Sequence, residues 1–280
     1  MRAATSPSVS PAVSPSAGLE PRTAPGEDVR PAPRPAMLTY ARLDLRRQLR
    51  DRFGMFFVVG LPTFMYLVFG LGSEGAVGSG NVAMYVMISM AAYGAVTATT
   101  SVAGSAATEQ VMGWGRQLGL TPMRPLAFVT AKAAVAMTVA AVPVTLIFAI
   151  GAATGARGAW TDWTLAAALV WLGSALFAIY GLAICLVFRG SNAPGIASGM
   201  IVVMAFLGNV FTPMDGLMLD IGRLTPLYGY AALARFPLTD GWLPVGGRDP
   251  LWLPVANVLA WTVIFSLLAL WGVRRSRSRT

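Results

Sequence analysis

Histidine is missing from this chain, cysteine and lysine occur once each, and only 12% of its 280 residues are charged. Soluble domains carry about 25% charge, so a water-facing surface is hard to build from this composition. With no histidine and Cys185 alone, neither a clustered zinc site nor an intrachain disulfide can form. One thiol leaves the redox compartment open. The single lysine, Lys132, follows Ala131 and not a glycine, so there is no phosphate-cradling Gly-x-x-x-x-Gly-Lys-Ser/Thr loop. No histidine base, no paired carboxylate within an apolar run and no Gly-x-Ser-x-Gly elbow is present. The chain is expected to be no enzyme and to hold no metal or cofactor of its own.

Apolar sequence is what the chain has in excess. Hydrophobic residues make up 55% and the mean hydropathy is +0.62. Several runs reach the roughly 20 residues that cross about 30 Å of hydrocarbon. Six spans are predicted, over 53–71, 82–107, 126–150, 163–188, 194–211 and 251–273. The fold class is therefore an all-α polytopic membrane protein. Residues 1–36, rich in Pro, Ala, Ser and Thr, are expected to form a disordered tail. Residues 37–280 form the transmembrane domain. No 7–15-residue apolar stretch follows Arg2, so no signal peptide is expected.

Between tail and first span, Leu38, Ala41, Leu45, Leu49 and Phe53 recur at helical spacing, with Arg42, Arg46, Arg47 and Arg50 on the other faces. This predicts an interfacial helix with its apolar side down and guanidinium groups up. The net charge of +9 does not point to nucleic acid, because the basic residues gather beside spans. Nine arginines of the N-terminal arm, Arg116, Arg124, Arg189 and four C-terminal arginines fall on one side of a six-span arrangement. The other side has only Arg157, Arg223, Arg235 and Arg248. Both termini are therefore expected in the cytoplasm, against anionic lipid of the bilayer. The excess of arginine over lysine, with abundant Ala and Gly, suggests a high-GC bacterium and hence its inner (cell) membrane. The 212–250 connection is too apolar for a free loop and too rich in proline for one span. One or two short re-entrant helices on the outer side are expected.

Ion coupling needs ionisable groups inside the bilayer, and the predicted spans hold almost none. Glu109 sits at a boundary, and Lys132 is expected to snorkel from about one turn inside the third span. The second and third spans are joined by Thr108-Glu109-Gln110-Val111-Met112-Gly113-Trp114-Gly115-Arg116-Gln117-Leu118-Gly119-Leu120-Thr121-Pro122-Met123-Arg124-Pro125. Glu109, Gly113, Trp114, Arg116, Gln117, Leu118, Leu120, Thr121, Pro122, Arg124, Pro125 and Lys132 follow in order a pattern that resembles the ABC-2 family of ABC transporter permeases, including drug-resistance exporter subunits. Leu224-Thr225-Pro226-Leu227-Tyr228 looks like that family's outer motif. Gln110, Val111 and Met112 stand where the family carries a charged cluster, which weakens the case for a charge network at this end of the loop.

The resemblance implies a dimer of permeases, with a second copy or a paralogue, on a separate cytoplasmic ABC ATPase subunit that binds ATP and Mg. It casts Glu109, Gly113, Trp114, Arg116, Gln117, Leu118, Thr121 and Pro122 as the coupling element to that ATPase. In family exporters the second and fifth spans line the substrate path, which makes Met87, Thr97, Met204 and Asn209 the candidate contacts. Thr97, Ser101, Ser105 and Thr108 form a small polar stripe suited to helix packing, and Gly195 with Gly199 makes a Gly-x-x-x-Gly. The function implied is export of an apolar or amphipathic compound, such as a drug, antibiotic or lipid-like molecule. An ion-driven carrier and a non-transporting scaffold are the rival readings.

Overall fold

The computed structural model of the chain describes residues 36–73, 75–111, 125–188, 192–245 and 247–277. The expected disordered tail lies outside them apart from Ala36. Ala36–Arg50 forms α1 and Arg52–Phe69 forms α2, which contains a π-helical turn at Phe56–Gly60. A two-stranded hairpin of β1 (Ala76–Val77) and β2 (Gly80–Asn81) leads into α3 (Val82–Val111). Then come α4 (Pro125–Ala153), α5 (Trp160–Gly173) and α6 (Ala175–Phe188). The shorter α7 (Ala193–Leu207), α8 (Gly216–Arg223) and α9 (Pro226–Thr239) precede α10 (Trp252–Arg277). Five stretches are long and apolar enough to cross a membrane: α2, α3, α4, α5 with α6, and α10. This is an all-α, multi-pass membrane architecture.

The middle of the bundle is α3. Within its apolar stretch Val82–Ala106, 83% of an 18-residue window is buried, against 17% of such a window in α2 and in α10. Lipid tails are as apolar as leucine, so burial of area contributes little here and close packing decides which helix is central. Small side chains permit that packing. Ala91, Ala92, Ala95 and Ala98 are wholly buried. A Cβ on Gly94 would sit 2.8 Å from the Pro143 side chain of α4, and one on Gly181 of α6 would sit 2.7 Å from the Thr100 carbonyl. Both crossings therefore require glycine.

The predicted fourth span is broken at Ser174, whose amide and hydroxyl fold back onto the Val170 and Trp171 carbonyls. Gly173 leaves room there for the Tyr230 ring, and the Tyr230 hydroxyl donates to the Val170 carbonyl at 2.7 Å. The fifth predicted span is shorter than expected. After Leu207 the chain passes through Gly208 to Asn209 at φ +58°, a left-handed conformation that ends the helix. Fifteen residues rise about 22 Å, too little to span hydrocarbon alone. The helices α8 and α9 fill the 212–250 connection. Thr225 caps α9 by accepting from the Tyr228 amide, and Pro226 occupies its first turn. Asn257 and Trp261 of α10 donate to the carbonyls of Arg223, Thr225 and Leu224, which pins the α8–α9 corner.

Candidate functional site

The helix α1 divides its predicted stripe between the outside and the protein. Leu38, Leu49 and Phe53 are exposed, whereas Tyr40, Ala41, Asp44, Leu45 and Gln48 turn inward. A carboxylate lies at the centre of the buried face. The reason is across the interface: α1 packs on α4, where Lys132 is 5% exposed and unable to reach water. Its predicted snorkelling is thus corrected. An ammonium buried this deeply demands a counter-charge, and Asp44 answers that demand more strongly than a leucine stripe seeks cover.

The Lys132 Nζ lies 2.9 Å from Asp44 Oδ2 and 3.0 Å from Glu109 Oε2. Both pairs close on distance and not on hydrogen-bond direction, so they are held by charge. Arg47 Nη1 reaches Glu109 Oε1 at 3.1 Å from the exposed side, and Gln48 donates to Ser105 Oγ of α3. The Tyr40 ring lies 5.6 Å from Lys132 Nζ, and its hydroxyl donates to Glu109 Oε2. Burial first, then the negative charges of Glu109 and Asp44, pushes the Tyr40 phenol well above the ordinary tyrosine range. It stays protonated and keeps donating.

Two carboxylates and two cations make this quartet neutral. It joins three elements: α1, the last turns of α3 and the first turns of α4. Residues 112–124 connect the second of these to the third. A displacement of either flank must break an ion pair in a poorly solvated place or carry α1 along. The cluster is suited to transmitting force. A charge network does exist at this end of the loop; α1 supplies Asp44 and Arg47, in place of the charged cluster missing at 110–112. The sequence signal was available in the one lysine of the chain, set a turn inside an apolar run.

Of the predicted coupling residues, the structure describes Glu109. Gly113, Trp114, Arg116, Gln117, Leu118, Thr121 and Pro122 lie outside the described residues. The candidate path residues are dispersed. Met87 has no exposed surface and lies in the core, where its side chain would obstruct any Cβ on Gly151. Thr97 is half-buried and donates to the Tyr93 carbonyl. Met204 is partly buried against the core. Asn209 is buried at the end of α7, its Oδ1 accepting from the Met214 amide and its carbonyl from Arg235.

Two charged residues outside the predicted spans prove to be interior. Asp162 sits in the first turn of α5, accepting from Ser79 Oγ and the Ala159 amide. Arg235 belongs to α9 and is 2% exposed. Among the described residues, no group of three or more acidic or thiol side chains is placed to hold a metal.

The ABC-2 type transporter family model matches residues 36–228, from the first residue of α1 into α9. No curated protein matches the chain.

Proposed function

This chain belongs to the ABC-2 type transporter family, and we propose that it is the membrane subunit of an exporter driven by a separate ATPase. Membership makes it a transport component that is not itself catalytic, working in the bilayer with an ABC ATPase. Both ends would face the cytoplasm of a bacterial cell, where ATP and Mg²⁺ are held by the partner. The exported compound is apolar or amphipathic, in keeping with an interior built mainly from aliphatic and aromatic side chains.

One observation carries the reading. The buried Asp44–Lys132–Glu109 cluster ties α1 to both flanks of the 112–124 connection, the place where an ATPase would push. Arg116 and Gln117 are proposed as the contacts that receive the push. A second copy would pack on α7, where Gly195 and Gly199 have no neighbour within 4 Å of an added Cβ and Ile196, Met200 and Val203 are exposed. Such a surface suits close helix approach in lipid.

Co-purification from the native membrane tests this. The expected result is a stoichiometric ATPase whose turnover responds to candidate substrates, with that response lost in the Arg116→Ala/Gln117→Ala variant. Transport that persists without any ATPase, and collapses with an ion gradient, would overturn it in favour of a carrier.

A further inference from the structure

At the end of α3 away from Glu109, Arg235 of α9 is 2% exposed, and no carboxylate among the described residues touches it directly. Nε donates to the Ala231 carbonyl at 3.1 Å. Nη1 donates to Tyr85 Oη at 2.6 Å and to the Asn209 carbonyl at 2.8 Å. Arginine has five N–H donors and no acceptor, and Nη2, with two of them, has no partner among the described residues. A buried guanidinium held by neutral dipoles alone is costly. It lacks both a hydrogen-bond acceptor and a counter-charge.

One group nearby can supply both. Asp249, just ahead of α10, is 4% exposed. Its Oδ1 accepts from Arg223 Nη2 at 2.6 Å, and its Oδ2 accepts from Arg223 Nε at 3.4 Å and from the Tyr228 hydroxyl. A carboxylate has about four acceptor positions, so Oδ1 keeps one open. Asp249 and Arg235 line the same cavity, together with Tyr85 and Thr239, and its free volume is about 10 Å³. That is room for one water. The other walls match a water's needs. Tyr85 Oη receives Nη1, which leaves its own proton to donate. Thr239 Oγ1 gives its proton to the Arg235 carbonyl, which leaves its lone pairs to accept.

We propose that Asp249 is the shared counter-charge of two arginines, meeting Arg223 directly and Arg235 through one buried water. The water accepts from Arg235 Nη2 and the Tyr85 hydroxyl and donates to Asp249 Oδ1 and Thr239 Oγ1, so its hydrogen-bonding capacity is filled. With Asp220 on Arg223 at 2.8 Å, the two arginines and two aspartates form a neutral group. The bridge is a lock. It fastens α8, through Arg223, and the segment entering α10, through Asp249, to α9 and to Tyr85 of α3. The central helix then carries a charge-based fastening at each end, with Glu109 at one and Tyr85 at the other. Arg235, Thr239 and Asp249 lie beyond the 36–228 match, and the lock does not depend on the proposed transport reaction.

Two measurements on the full chain in lipid nanodiscs test this. The first is proton-detected solid-state NMR with ¹⁵N-arginine, in which Arg235 is assigned by the signals lost in Arg235→Met. The expected result is through-space transfer from water to the Arg235 Nη protons. Should Arg235→Met fail to fold, Arg235→Lys, which keeps the charge and lacks Nη2, makes the same assignment. The second is native-state hydrogen exchange of α9 in Arg235→Met, Asp249→Asn and the double variant. Each single variant should open α9 more readily than wild type, and the double variant should open it several-fold less than the product of the two single factors. Absence of the water contact would overturn the bridge. Single factors that simply multiply would show that Asp249 is not the counter-charge of Arg235, and would overturn the lock even with the water present.

Discussion

Replacing Lys132 by methionine keeps the length and much of the volume of the side chain while removing the charge between Asp44 and Glu109. Asp44 is 4% exposed and Glu109 12%, so neither carboxylate is well placed to recover its hydration. Removing one partner of a buried pair costs about 3–5 kcal/mol. Arg47 remains on Glu109, but at 71% exposure it offsets no more than about 1 kcal/mol. The net penalty is about 2–5 kcal/mol, and it falls on the docking of α1, the helix that contributes Asp44. At 1.4 kcal/mol per decade this raises the opening equilibrium of α1 roughly 30- to 3,000-fold. Native-state hydrogen exchange in nanodiscs reads that opening directly. The amides of α1 should exchange faster by this factor while those of α3 do not. The double variant Asp44→Asn/Lys132→Met removes one charge of each sign and should regain most of the protection. If α1 exchanges within about threefold of wild type in Lys132→Met, or the double variant opens as readily as the single, the charge pairs do not hold the helix.

Gly181→Val drives a side chain into the Thr100 backbone, which cannot yield as a flexible side chain would; a loss of about 1–3 kcal/mol or more is expected in denaturant titration. Met87→Ala should cost about 2–5 kcal/mol through the cavity it opens. A full loss of substrate-stimulated ATPase at unchanged stability would instead make Met87 a substrate contact. Gly195→Leu with Gly199→Leu should leave the unfolding of the protomer unaltered, because nothing among the described residues meets either position. The same pair should lower the dimer fraction counted by single-molecule photobleaching in nanodiscs.

Length and hydropathy along the chain were enough to place five membrane-crossing stretches, because a run of about 20 apolar residues has few other places to go, but not to foresee that the run at 194–211 ends as a helix at Leu207. The Pro-rich break after the fifth span predicted short helices there, and Thr225-Pro226 starts one of them by ordinary capping chemistry. The order of residues from Glu109 to Lys132 was likewise legible in one dimension. Asn209 was noticed as an odd amide but not as the left-handed residue that ends α7, since its conformation depends on where Gly208 and Val210 must go next.

What the sequence by itself determined is the class: an all-α membrane chain without histidine or a phosphate loop. The tertiary structure decided which charges are interior and whom they meet. Lys132 and Asp44 are 88 residues apart (132 minus 44), and Arg235 and Tyr85 are separated by 150. No local rule relates such positions. A lysine near a span end snorkels by default, and an arginine outside the predicted spans is solvated by default. Each default fails here for one reason: once helices become neighbours, an unpaired charge in a dry interface is costlier than an exposed leucine in lipid, and the packing arranges itself around the charge.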